Sequence, residues 1–444
     1  MCTVAAGMVA RVRNRAPRPQ WLPVALLATV TVLSVAARAA WLGAPCRSPC
    51  RTAADHVLIF DEDYYVNAAR VIAGIRPPAG APYAHAPLGD DPNAEHPQLA
   101  KLVMAGSIEL FGDGPLAWRL GSIVFGTAAI LGMYALTRAA GGSPWLALGA
   151  AALMAADNLM IVHGRIGTLD IYALAAMVWA AALYLRRRPV LSGVVLGVGA
   201  CAKEVAPSLL LALIVFEALR WATTRQGGRA RLVSLGLCTL ATAVSTIVLL
   251  SVLYRVAPPY ADAAGQRVTG GAFGHISHIL DYAAHLTSPQ GPRGIASYPW
   301  WWLGDYKPIT YLNINPSRPA PGLSDIHPAV HFLGMISPPI LLAGLVGLLV
   351  AAGGLGAARR SGLGELGALA LAWFLGTFAP FALSSLLLDR TSYLYYMLIV
   401  MPSLYLAAIY LLARLRPPRL ITAVWLVTVL AAAIVMYPLI PITL

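Results

Sequence analysis

Charge is what this sequence has least of. Asp, Glu, Lys and Arg make up 11% of its 444 residues, against 58% hydrophobic residues. There are 19 acids and only three lysines, Lys101, Lys203 and Lys307. So sparse a charged surface excludes an ordinary soluble domain. Five cysteines are too few for a disulfide framework. Cys46 and Cys50 are spaced for a small-loop disulfide or, with further ligands that the neighbourhood does not obviously supply, for a metal; Cys2, Cys201 and Cys238 read as inert. No glycine-rich loop carries a lysine in the phosphate-cradling pattern, which argues against cytoplasmic ATP-driven chemistry. The opening Met1–Ala10 is uncharged and no clear small-residue cleavage site follows the first apolar run, so a cleavable signal peptide is not expected.

What is present is apolar length. Mean hydropathy is +0.69, with 40 Gly and 33 Pro spread along the chain, the composition of an all-α polytopic membrane protein. A crossing takes roughly 20 apolar residues. Eleven candidate spans lie near 21–42, 115–138, 144–162, 167–185, 189–202, 205–221, 231–254, 331–353, 363–388, 392–413 and 419–441. Basic residues set the orientation. Under strict alternation Arg11–Arg18, Arg138, Arg186–Arg188, Arg220–Arg231, Arg359–Arg360 and Arg414–Arg419 all fall on one side. That side reads as the cytoplasm, with the C-terminus outside, in a bacterial plasma membrane. The net charge of +13 is then a consequence of topology, and no nucleic acid is expected as a partner.

The inner loops are short, whereas two outer segments are long: 43–114 and 255–330. The first holds Phe60-Asp61-Glu62-Asp63, a helix-like stretch Tyr64–Gly74, a Pro- and Gly-rich turn region, Glu95-His96-Pro97-Gln98-Leu99-Ala100-Lys101, and an apolar stretch Leu99–Phe111 read as an interfacial helix. The whole of 1–444 reads as a single membrane-embedded unit. All three lysines fall at or near the outer face, where topology gives no reason for them; each is either a phosphate ligand or a snorkelling interfacial residue.

Several constellations bear on chemistry. Adjacent carboxylates Asp61 and Glu62 suit a general base whose neighbour raises its pKa, or equally the acidic start of a helix. Arg165 and Asp170 stand where two spans meet the outer face, as an ion pair or as a guanidinium fork for an anion oriented by the acid. Lys203-Glu204 sits between two apolar spans; neighbours in sequence do not face each other on a helix, so each meets a different partner or is simply solvated at a hairpin tip. His275, His278, Asp281 and His285 share one side of a helix, but only adjacent members reach a common metal. Ser297-Tyr298-Pro299-Trp300-Trp301-Trp302 suits an interfacial aromatic belt or sugar stacking.

Together these residues resemble the protein O-mannosyltransferases, the polyprenyl-phosphate-mannose-dependent members of the GT-C glycosyltransferase class. Phe60-Asp61-Glu62 is similar to the family's acidic pair, and His96-Pro97-Gln98-Leu99-Ala100-Lys101 to its His-Pro-Pro-Leu-x-Lys motif. Asp157-Asn158, Arg165, Leu169-Asp170 and Gly197…Ala202-Lys203 resemble its next two segments. Tyr282…His285, Ser297-Tyr298-Pro299-Trp300, Lys307-Pro308-Ile309 and Asp389-Arg390…Tyr393-Leu394-Tyr395-Tyr396 resemble the later ones. Gln98 in place of the second Pro, the extra Asp63, His163 and Glu204 depart from the pattern. The second outer segment is too short for the separate β-trefoil domain of eukaryotic relatives.

The resemblance implies a GT-C fold of about eleven transmembrane helices and inverting transfer of mannose from a polyprenyl-phosphate donor to Ser/Thr hydroxyls of exported proteins. Transfer of aminoarabinose, arabinose or mannose to a lipid or envelope glycan is the alternative; a transporter or flippase is the alternative from another class, although no internal repeat is visible. The site implied has Asp61 as base, Glu62 positioning acceptor or sugar, and Arg165 on the phosphate, oriented by Asp170 and assisted by Lys101, Lys203 or Arg390. His96 supports the acids, with His285, Trp300 and Tyr395 around them. A monophosphate donor beside basic side chains demands no cofactor; a divalent metal held by the acids is the other arrangement.

Overall fold

The computed structural model describes residues 21–224, 227–315, 322, 329–355 and 363–439. The basic cluster Arg11–Arg18, together with Arg225, Arg359 and Arg360, lies outside the described residues.

A helix occupies each of the eleven apolar stretches. They are α1 (Leu22–Ala39), α4 (Pro115–Ala139), α5 (Pro144–Ala156), α7 (Asp170–Leu185), α8 (Pro189–Ala202), α9 (Ser208–Thr224), α10 (Gly228–Val256), α13 (Pro338–Gly354), α14 (Gly364–Leu387), α15 (Met397–Leu415) and α16 (Arg419–Val435). By length and composition five are long and apolar enough to cross a bilayer: α1, α4, α10, α14 and the stretch Leu394–Leu415 that contains α15. The chain is an integral membrane protein. Outside these lie α2 (Glu62–Ile72), α3 (Leu99–Phe111), α6 (Asn158–His163), α11 (Gly271–His285) and α12 (Pro299–Trp302). Pro at the first or second position opens α1, α4, α5, α8, α12 and α13, where its missing N–H costs nothing.

Two of the expected spans are modified by polar side chains. The stretch 144–162 breaks at Asp157, whose carboxylate accepts from the backbone N–H groups of Leu159 (3.0 Å) and Met160 (3.3 Å) and so starts α6 as a new helix. The stretch 331–353 begins as a strand: β4 (Val330–Gly334) pairs antiparallel with β3 (Ile309–Ile314), with Ile314 opposite Val330. Asn158 Nδ2 donates to the carbonyls of Leu333 (2.8 Å) and Met335 (2.9 Å), tying this ribbon to α6. A second, two-residue ribbon pairs β1 (Tyr260–Ala261) with β2 (Gln266–Arg267).

Between apolar helices in lipid, close backbone approach replaces the hydrophobic drive. Gly193 and Gly197 form a small-residue stripe on α8 against α10: a Cβ on the first would overlap the Cys238 carbonyl, one on the second Ser245 Oγ.

The helices alternate in direction, so the connections gather at two ends. At one end sit Arg138, Arg186–Arg188, Arg220, Arg231 and Arg414; Arg220 there bridges Glu217 of α9 and Glu365 of α14, both at 3.1 Å. At the other end the two long segments, 43–114 and the described part of 255–330, pack on each other. Arg267 grips Asp90 with two bonds of 2.7 and 2.9 Å, and Tyr260 N–H donates to the Asp91 carbonyl at 2.8 Å. This second end carries the site.

Candidate active site

The site is built around the start of α2. Phe60 adopts φ +57°, a left-handed conformation that costs a non-glycine residue about 1–3 kcal/mol. Its ring is held in place, stacked 4.1 Å from Tyr311 and edge-on to Tyr395 at 5.6 Å. The turn sends the two following carboxylates in opposite directions. Asp61 points into a cavity of about 370 Å³. Glu62 points into the protein, fully buried.

Glu62 is saturated there. Its oxygens accept from Arg119 Nε (2.8 Å) and Nη2 (2.7 Å) and from the backbone N–H groups of Ile59 (2.8 Å) and Gly167 (2.7 Å). Arg119 also donates to the carbonyls of Leu42 and Val57. This network ties α2 to α4, to the α1–α2 connection and to the turn before α7.

Four other segments close the cavity around Asp61. Past the end of α8, Lys203 places Nζ 3.6 Å from Asp170 Oδ2 and 3.3 Å from the Tyr65 hydroxyl. Glu204 meets His96 Nδ1 at 3.0 Å. Arg390 enters from beyond α14, its guanidinium donating to the Ala283 carbonyl of α11. Seven tyrosines line the walls, among them Tyr65, Tyr83, Tyr282 and Tyr393.

The electrostatics separate these groups. Burial pushes the Asp61 carboxyl up to about 7; Lys203 opposes that shift and Asp170 adds to it. Burial also works against ionisation of Glu204, but His96 and Lys203 outweigh it and hold that carboxyl at about 2. For Lys203, burial is overcome by Asp170 and Glu204, which lift the ammonium above its ordinary value. Burial and the Asp61 charge keep Tyr65 protonated, as a donor. At neutral pH the cavity therefore presents a carboxylate able to take a proton beside a permanent ammonium and a guanidinium.

Asp61, His96, Lys203, Arg390 and Tyr395 are brought together at this cavity. Other residues singled out in the sequence lie elsewhere. Lys101 is fully buried behind the loop; its ammonium sits 2.6 Å from Asp91 and donates to the His96 carbonyl at 3.0 Å, fixing that loop. Arg165 is buried between α1 and the end of α16, donating to the carbonyls of Trp41 (2.7 Å) and Ala37 (3.3 Å) and to the Tyr437 hydroxyl (3.3 Å). The expected Arg165–Asp170 pair does not form, because α7 begins at Asp170 and Arg165 lies in the connection before it. Asp170 pairs with Lys203 instead. His285 is exposed and sits 3.5 Å from Asp281. Trp300 stacks on Tyr298 at 4.5 Å, outside the cavity. His275 of the same histidine series is turned inward, 2.9 Å from the Ala94 carbonyl, so these histidines do not converge.

Two lining residues had little signal in the sequence. Tyr83 lies in the Pro- and Gly-rich turn region, at φ +64°, and accepts from Asn93 Nδ2 at 3.0 Å. Glu95 is bonded to the same amide at 3.1 Å. Its place beside His96 was the only pointer to it.

The acids Asp61, Glu95 and Glu204 are the groups that would hold a divalent ion. Glu95 and Glu204 are already bonded to Asn93 and His96, and the ligand atoms of the three do not converge. Among the described residues the trio with ligand atoms within 4.8 Å of one another is Cys46, Cys50 and His56, where a Cys46–Cys50 disulfide removes the thiolates.

Comparison with known proteins bears on the fold and on part of the sequence. Residues 95–255 match the model of a family described as dolichyl-phosphate-mannose-protein mannosyltransferase. A polyprenol-phosphate-mannose–protein mannosyltransferase of Corynebacterium glutamicum is 32% identical over 165 residues, 36% of this chain. That match spans 29% of the curated relative's length. Among solved structures, the Saccharomyces cerevisiae protein O-mannosyltransferase Pmt1–Pmt2 complex bound to the sugar donor aligns with a TM-score of 0.66 at 13% identity, over 94% of this chain and 89% of that one. ArnT from Cupriavidus metallidurans bound to undecaprenyl phosphate aligns at 0.52 and 17% identity, over 91% and 62%. The Archaeoglobus fulgidus oligosaccharyltransferase aligns at 0.56 and 15% identity, over 95% and 57%. At these identities the structures establish the fold. Residues 95–255 thus carry a mannosyltransferase sequence signature, and nearly the whole chain shares the fold of these membrane glycosyltransferases.

Proposed function

We propose that this protein is an inverting glycosyltransferase that moves mannose from a polyprenyl-phosphate donor to Ser/Thr hydroxyls of exported proteins at the outer face of the membrane. The observation that carries the reading is the meeting of Asp61 with Lys203 and Arg390 in one cavity at an end of the membrane bundle. The matched family and the Corynebacterium relative, whose names specify mannose transfer to protein, support the sugar and the acceptor class.

The chemistry follows from the donor. Its leaving group is a lipid phosphate, already a weak base, so departure needs positive charge and no strong acid. Lys203 and Arg390 supply that charge. Asp61 takes the proton of the acceptor hydroxyl as its oxygen attacks the anomeric carbon from the face opposite the phosphate. The C–O bond to phosphate breaks, polyprenyl phosphate departs with the electron pair, and the new glycosidic bond has inverted configuration. Tyrosine faces offer stacking surfaces for the sugar. His96 and Glu204 anchor the loop facing Asp61. Glu62, Lys101, Asp170 and Arg165 act as positioning residues, each through the backbone or side chain it holds.

The arginine-rich end of the bundle is cytoplasmic on this reading, and the cavity faces outward. The donor stays in the bilayer while a polar acceptor arrives from water. Membranes containing the protein, supplied with radiolabelled polyprenyl-phosphate-mannose, should place label in the protein fraction, released by β-elimination. Label confined to lipid or glycan fractions would replace the protein acceptor with an envelope one.

A further inference from the structure

The bundle encloses a second space at the end opposite the cavity. There α7, α9, α10 and α14 bound about 450 Å³, lined by Arg187, Arg220, Arg231, Glu217 and Glu365 together with the first turn of α10. A groove of about 360 Å³ between α9 and α10, lined by Ile214, Ala218, Trp221, Leu232 and Leu235, adjoins it. Glu217 and Arg231 border both, so the polar space and the apolar groove are continuous. From this end to the other, α14 alone runs 24 residues, about 36 Å at ~1.5 Å per residue. The two sites are a bilayer apart.

The charges are not balanced internally. Arg220 is committed to both acids, at 3.1 Å each. Arg231 reaches Glu217 through Nε at 3.5 Å and donates to Thr224 through Nη2, but among the described residues its Nη1 is buried with no hydrogen-bond partner, as is Glu217 Oε2. Arg187 is exposed and has no ion pair among the described residues. The 29-residue α10 begins at Gly228 with no side-chain cap from its N-cap Gly227, and Gly227 and Ala230 of this first turn line the same space. A buried guanidinium donor without an acceptor is costly, and here it lies where a basic mouth meets an apolar channel. An anion carrying a hydrocarbon chain satisfies both parts; a neutral lipid leaves the donor unmet, and a soluble anion leaves the groove unused.

We infer that this composite space binds the phosphate of an anionic lipid, the phosphate between Arg187, Arg231 and the α10 first turn and the chain along the α9–α10 groove. Basic pockets between membrane helices take lipid phosphates in this way. The phosphate comes from a phospholipid headgroup or from a polyprenyl monophosphate, and the two are separable by experiment.

The full-length protein in neutral detergent is offered phosphatidylglycerol, polyprenyl monophosphate or phosphatidylcholine, and bound lipid is counted by native mass spectrometry. Wild type should retain one phosphatidylglycerol at least tenfold better than phosphatidylcholine, or two equivalents of polyprenyl phosphate, one at each end. R187Q/R231Q should lose the phosphatidylglycerol tenfold, or one of the two polyprenyl phosphates; whichever is lost names the source. The single variant R187Q, at an exposed position, should keep the wild-type melting temperature and still weaken retention about threefold. Unchanged retention by R187Q/R231Q, or no preference over phosphatidylcholine in the wild type, would overturn the inference.

Discussion

At the residue scale the account turns on two neighbouring carboxylates with different fates. Asp61 faces the cavity with its pKa raised to about 7, whereas Glu62 is consumed by Arg119 and two backbone donors. As the proposed base, Asp61 must be ionised, so kcat/KM should rise with pH up to about 7 and level off above it, a profile read directly from initial rates. The same shift has a stability consequence of opposite sense. An acid whose folded pKa lies above its ordinary value of 3.8 stabilises the fold when protonated, and that contribution is lost as pH climbs from about 4 to about 7. Asp61→Asn should therefore melt higher than wild type at pH 8 and equally at pH 4. Glu62→Ala strands a buried guanidinium, which costs about 3–5 kcal/mol. It should lower the melting temperature and the yield of folded protein, and a normal melting curve would contradict the structural role. Arg165→Ala should likewise lower the melting temperature by removing donors from the Ala37 carbonyl of α1 and the Trp41 carbonyl just beyond it, while leaving the KM for the donor unchanged; a several-fold rise in that KM would return Arg165 to the phosphate.

At the scale of elements, helix positions were legible because apolar length and terminal prolines are local signals. The strand at Val330–Gly334 was not. Short apolar runs do not separate strand from helix, and its pairing with Ile309–Ile314 is a tertiary fact. The site was legible in part for the same reason. Asp61, His96, Lys203, Arg390 and Tyr395 sit in motifs whose spacing is local, yet the partner of Asp170 depended on where α7 begins. A helix starting five residues earlier would have offered Arg165; the start at Asp170 leaves Lys203, from the far end of α8, as the group in reach. The small-residue stripe on α8 is sensitive to substitution. Gly197→Val forces Ser245 and the α10 backbone away, and the lost packing should cost about 1–3 kcal/mol, visible as a lower melting temperature in detergent. Gly353→Ala on α13, where an added Cβ meets no atom within 4 Å, is the matched control.

For the whole molecule, the division between an arginine-rich end and an end carrying both long segments is what gives the chemistry a side. On the proposed function a lipid donor and a water-borne acceptor meet only where the bundle leaves the bilayer, the edge at which the five segments around Asp61 would converge. Asp61→Asn tests this most directly, because it removes one proton acceptor and keeps shape and hydrogen-bonding size. The measurement is single-turnover transfer of labelled mannose from polyprenyl-phosphate-mannose to a Ser/Thr peptide, with donor binding followed in parallel. The account predicts transfer reduced by about 10²–10⁴-fold with donor affinity within about twofold of wild type; transfer at the wild-type rate would contradict it.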